Sequence, residues 1–79
     1  MIATRRRRKQ LQQEYQFSPS FLDIAQRGLR KYPDRYPNAI IRSGKIVYID
    51  VEMLFDWINY REALEVKAPV PPFRREAYQ

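Results

Sequence analysis

The sequence predicts a small α+β domain in the order helix, helix, two-stranded hairpin, helix, and three observations carry that prediction. First, Ala39–Ile41 and Ile46–Ile49 are short apolar runs joined by the polar link Arg42-Ser43-Gly44-Lys45, a hairpin signal whose glycine accepts the positive φ of a tight turn. Second, Asp50 follows the second run directly and Glu52 comes two residues later. An N-cap and an acidic first turn therefore open a helix where the strand ends. Third, Ser18-Pro19 precedes a helically periodic run that stops at Tyr32-Pro33, since the residue before a proline avoids helical dihedrals. Together these elements compose a small winged helix-turn-helix domain with the hairpin as its wing. A basic N-terminal arm precedes it and a proline-rich C-terminal tail follows.

The chain has 79 residues, no Cys and no His. One domain is expected, with residues 17–66 as its core, residues 1–16 as a basic arm or first helix, and residues 67–79 as an extended tail. Without Cys or His, zinc fingers, thiol chemistry and imidazole acid–base catalysis are excluded. No apolar run approaches membrane-spanning length, and the basic start leads into QLQQEYQ rather than an apolar signal segment. A cytoplasmic protein that holds no cofactor or metal is the expectation.

Charge is sorted along the chain. Residues 1–16 hold five basic and one acidic side chain, 17–49 six and two, 50–66 one and five, and 67–79 three and one. Cations precede and occupy the hairpin, whereas the helix after it is acidic. Such segregation points to one surface that faces a polyanion.

At the N-terminus, Arg5, Arg6, Arg7, Arg8 and Lys9 repel one another and are expected to stay in solvent, tracking phosphates or entering a minor groove. Residues 4–15 are otherwise rich in helix formers, with Leu11 and Tyr15 at i,i+4 spacing, so a helix is expected there. In the next helix Phe21, Ala25 and Leu29 make the apolar seam, with Ile24 and Gly28 alongside. Ser20, Asp23, Arg27 and Arg30 lie opposite, flanked by Gln26 and Lys31. Arg27, Arg30 and Lys31 suit phosphates, and Gln26 or Arg27 suit base edges. Tyr32 and Tyr36 are expected to pack under the proline loop between them. Arg42, Ser43 and Lys45 at the hairpin tip are placed for an adjacent backbone.

The last helix, from Val51 to about Ala63, carries Val51, Leu54 and Ile58 on one seam with Phe55 beside it, and Met53 and Trp57 on a second. That arc is wide enough to fill the core and leave Trp57 and Tyr60 for a protein partner. Three prolines within Pro69–Pro72 favour an extended tail, in which Phe73, Arg74 and Arg75 would anchor a docking peptide. Asp50, Glu52 and Asp56 share one helix without His, Cys or a glycine-rich phosphate loop. Dipole complementation explains them better than catalysis, so no enzyme is expected.

Across Ser18–Leu64, the FLDIAQRGLRKY helix, the AIIRSGKIVYI strand pair and the VEMLFDWINY helix resemble the small winged-helix excisionases of conjugative transposons and temperate phages. These are also called recombination directionality factors, and folds of the MerR type share the hairpin pattern. The resemblance implies a non-enzymatic accessory factor that binds double-stranded DNA beside an integrase. Its helix before the wing would enter the major groove through Ser20, Gln26, Arg27, Arg30 and Lys31, while Arg42, Ser43 and Lys45 touch phosphates. RRRRKQLQQEYQ departs from the Glu-Ala-Ala-like first helix of that family. The alternative is a degenerate winged helix that serves a mobile-element polymerase or primase as a protein-binding subunit.

Overall fold

The computed structural model describes residues 5–78, and within them the chain folds as three helices on one three-stranded antiparallel sheet. The order is β1 (Arg5–Arg7), α1 (Arg8–Tyr15), α2 (Pro19–Lys31), β2 (Ile40–Ser43), β3 (Ile46–Asp50) and α3 (Val51–Glu65), with a 3₁₀ turn at Arg75–Tyr78. In the sheet β3 is central, flanked by β1 and β2.

The first strand corrects the expectation of a helix or free arm at residues 5–7. Arg5 pairs with Asp50, Arg6 with Ile49 and Arg7 with Tyr48. Without β1 the outer edge of β3 would present unpaired backbone groups. Arg5 and Arg6 are half-buried there, with Arg5 Nη1 enclosed, and Arg7 is exposed. α1 then starts at Arg8, where the Gln10 side chain accepts from the Arg7 amide at 3.0 Å. It ends at Gln16 in the left-handed conformation, φ 58°. Leu11 is fully buried, so α1 is a packing element of the core.

α2 begins as its sequence dictates. Ser18 Oγ accepts from the Phe21 amide at 3.1 Å, and Pro19 occupies the first turn. Its buried stripe is Leu22, Ala25 and Leu29, rotated from the expected Phe21–Ala25–Leu29 seam. Phe21 is half-buried and Ile24 is 45% exposed. The rotation follows from Gly28, whose missing Cβ lets the Trp57 indole of α3 lie directly on the helix. An ideal Cβ there would sit 2.3 Å from Trp57 Nε1.

β2 starts one residue later than expected and runs to Ser43. The link to β3 is therefore the two residues Gly44-Lys45, with Gly44 at φ +61°. The pairing is Ile40–Ile49, Ile41–Tyr48, Arg42–Val47 and Ser43–Ile46. α3 opens on Asp50, whose Oδ1 accepts from the Met53 amide at 3.2 Å. Met53, Leu54 and Trp57 enter the core, while Val51, Phe55 and Ile58 are half-buried. Trp57 is 5% exposed, which corrects its assignment as an exposed partner anchor.

A further correction concerns the tail, which folds back on its own domain. Residues 68–74 have no regular structure before the 3₁₀ turn. Phe73 packs edge-on against Tyr36 with ring centroids 6.1 Å apart and stacks on Tyr78 at 6.3 Å. Arg75 bridges Asp50 at 2.9 Å and Glu52 at 2.6 Å. The Phe73 and Arg75 side chains are thus engaged within the chain, and Arg74 remains exposed.

Candidate nucleic-acid interface

The acidic residues of α3 determine where positive charge is left. Asp50, Glu52 and Asp56 are buried, a position that carboxylates occupy only when paired. Arg75 takes Asp50 and Glu52. Asp56 accepts from Arg35 Nε at 2.8 Å and from the Tyr36 hydroxyl at 2.6 Å on one oxygen, and from the Tyr78 hydroxyl at 2.6 Å on the other. Arg35 also donates through Nη1 to the Pro71 carbonyl at 2.7 Å, which fastens the tail.

Burial and the Asp56 hydrogen bond push the Tyr36 phenol well above its ordinary range, and the same two causes raise Tyr78. For Arg75, the hydrogen bonds to Asp50 and then Glu52 hold the guanidinium charged. Burial opposes charge on Arg35, yet its bonds to Asp56 and Tyr36 outweigh that and raise it. These three carboxylates therefore face inward and add little to an acidic surface.

Ser20, Ile24, Arg27 and Lys31 fall at i, i+4, i+7 and i+11 along α2 and are all exposed. At 1.5 Å per residue that row is about 16 Å long. Asp23, its one acidic neighbour on α2, is held by Arg8 Nη1 at 2.9 Å, and Arg8 Nη2 donates to the Pro19 carbonyl at 3.1 Å. Arg8 thus fastens α1 to α2. Lys31 meets Glu65 at 3.1 Å in an exposed pair that raises its pKa through that hydrogen bond. Exposed pairs of this kind contribute little and exchange readily for another anion.

Arg30 is exposed on the flank that turns toward β2. There it lines a cavity of about 250 Å³ with Leu29, Pro33, Tyr36 and Ile40. Arg42, Ser43 and Lys45 are exposed at the hairpin tip. Among the described residues, Lys9, Arg30, Arg42, Lys45 and Arg74 form no ion pair.

Other expected positions differ. Gln26 is half-buried with its Nε2 enclosed and unbonded, because it faces the interior flank of α2. It does not stand on the exposed row. Arg5 and Arg6 are half-buried in β1, Arg6 beside Glu14 at 3.7 Å, while Arg7 and Lys9 are exposed. Tyr60 is half-buried beneath the Arg35 guanidinium, 5.4 Å from its ring.

A second surface feature has almost no signature in the sequence. Tyr15, Phe17, Phe21 and Phe55 join in one chain of ring contacts, with centroids 5.0–6.4 Å apart, that ends on Trp57 at 6.1 Å. The i,i+4 spacing of Phe17 and Phe21 is its one local hint. Among the described residues no group of carboxylates has the arrangement of a metal site, and no helix is long and apolar enough to cross a membrane. No protein-family model, curated protein or solved structure matches the chain.

Proposed function

We propose that the chain is a winged-helix DNA-binding accessory protein of the excisionase kind, without enzymatic activity, that acts on duplex DNA beside an integrase of a mobile element. The observation that carries this reading is the sorting of charge. Asp50, Glu52 and Asp56 are buried against Arg35 and Arg75, while Glu62 and Glu65 stay exposed and Glu65 pairs with Lys31, which leaves Arg27 and Arg30 of α2 and the Arg42–Lys45 tip as cationic surface.

In this reading α2 is the recognition helix, with Arg27 and Lys31 on phosphates or base edges, and β2–β3 is the wing. Arg30 sits between them. Arg7 and Lys9 add phosphate contacts, whereas Arg5, Arg6 and Arg8 hold the sheet and α1 in place. For the protein partner, Arg74 remains the exposed member of the expected set. Capture by a replication polymerase or primase is the second reading, and Tyr15, 40% exposed at the end of the aromatic chain and outside the basic row, favours it.

Binding of the full chain to random duplex and single-stranded DNA across a salt series, with sequencing of the bound duplexes, tests the proposal. An enriched motif together with a salt-dependent affinity is the expected result. Salt-dependent binding without enrichment removes the excisionase role. No binding at moderate salt removes the DNA reading itself.

A further inference from the structure

Ile24, like Ile41 and Ile46 of the hairpin, is an exposed isoleucine. It is 45% exposed on a capped thirteen-residue helix, and its neighbours on the same row are Ser20, Arg27 and Lys31. Phe21, Leu22, Ala25 and Leu29 of the same helix are buried or half-buried. A core role does not account for it, because Leu22, Ala25 and Leu29 already fill the interior stripe.

A ligand that covers this row must offer anionic groups to Arg27 and Lys31 and an apolar group between them. Duplex DNA offers both in the major groove, where phosphates flank base edges and the thymine C5-methyl is the apolar feature. Ile24 stands one helical turn from Ser20 and one turn from Arg27, so an α2 seated in the groove through its charged residues carries Ile24 toward base edges.

We infer that Ile24 is a specificity-determining residue that packs on the C5-methyl group of a thymine in the bound duplex. The inference rests on α2 being the DNA-reading helix. Ile24 adds no charge and makes no hydrogen bond, so its contribution is independent of salt and confined to one base pair. A protein partner seated on the same row is the competing occupant, and the test separates the two.

The experiment takes a duplex enriched from the random pool and replaces its thymines one at a time by deoxyuridine, which lacks only the methyl group. Full-length wild-type chain, Ile24→Ala and Ile24→Val are titrated against each duplex at fixed salt. Ile24 is exposed, so the variants keep the fold, which the single Trp57 reports through its fluorescence.

Wild type is expected to lose about fourfold in affinity at one thymine, the factor that corresponds to about 0.8 kcal/mol for one buried methyl group. Ile24→Ala should bind the thymine duplex more weakly and show no further loss on uracil replacement, while Ile24→Val retains the response. That non-additivity is the signature of direct contact. An unchanged uracil response in Ile24→Ala overturns the inference and leaves DNA binding by α2 standing. Binding without any thymine dependence overturns it equally. Failure of wild type to bind any duplex overturns it together with the DNA reading.

Discussion

The hydroxyl of Tyr36 donates to Asp56 at 2.6 Å across twenty residues of chain, and both side chains are buried. This bond ties the proline loop after α2 to the middle of α3. Because burial and Asp56 both favour the neutral phenol, the folded pKa of Tyr36 lies above its ordinary value of 10.0. A raised folded pKa means that the native state binds its proton more tightly than the unfolded chain. The associated stability is complete below pH 10 and is lost as pH climbs from there through the folded value. Thermal melts of wild type should therefore fall in midpoint above about pH 10. Tyr36→Phe, lower at neutral pH for want of the hydrogen bond, should fall less steeply. Parallel pH profiles for the two proteins would remove Tyr36 as the cause.

Gly28 and Trp57 allow a sharper test of packing. Alanine is the better helix former by about 1 kcal/mol, yet the added methyl would lie 2.3–2.5 Å from three indole atoms. Trp57 is buried in the core. Overpacking costs about 1–3 kcal/mol, so Gly28→Ala should lower the melting temperature and alter Trp57 emission. A stabilised Gly28→Ala protein would show that α2 and α3 can slide apart at no cost.

Much of this architecture was legible because it is written locally. Ser18-Pro19, Gly44 and Asp50 act within a few residues, and each marks a boundary that the structure keeps to within a residue or two. Longer-range features were not legible. The pairing of Arg5–Arg7 with β3 joins residues more than forty apart and runs against the repulsion that a cationic run implies alone. The buried acids needed Arg35 and Arg75 to be brought in from the loop and the tail, which no spacing announces. For the candidate site, the exposure of Arg27, Arg30 and Lys31 follows from amphipathic phase, and that of Arg42 and Lys45 from the hairpin turn. Gln26 and Ile24 were misplaced because the phase of α2 depends on the Trp57–Gly28 contact.

The tail belongs to the stability of the domain. Arg75 lies between two carboxylates with side-chain exposures of 1% and 7%, and is itself 39% exposed. Its removal leaves two inward charges without their cation. Partial solvent access moderates the loss, so Arg75→Ala should destabilise by roughly 2 kcal/mol, seen as a lower urea midpoint. Deletion of residues 67–79 should cost more, since Phe73 and the Tyr78 hydroxyl leave as well. A domain this small has on the order of 3–5 kcal/mol to lose. Truncation is therefore expected to weaken DNA binding through loss of the fold, and an intact melt after truncation would show the tail to be dispensable.

Arg27, Arg42 and Lys45 are exposed and stand outside the core, so they separate binding from folding. Removing one cation that sits on a phosphate should lower the slope of log affinity against log salt by about 0.9 on B-form DNA. Arg42→Ala and Lys45→Ala at the hairpin tip are expected to weaken all duplexes alike while leaving the melting temperature unchanged. Arg27→Ala, on the α2 row beside Ile24, should also change which sequences are enriched. If Arg27→Ala lowered the salt slope alone, Arg27 would be touching backbone only, and base discrimination would have to come from another residue. Unchanged affinity in all three variants at fixed salt would remove both α2 and the hairpin from the interface.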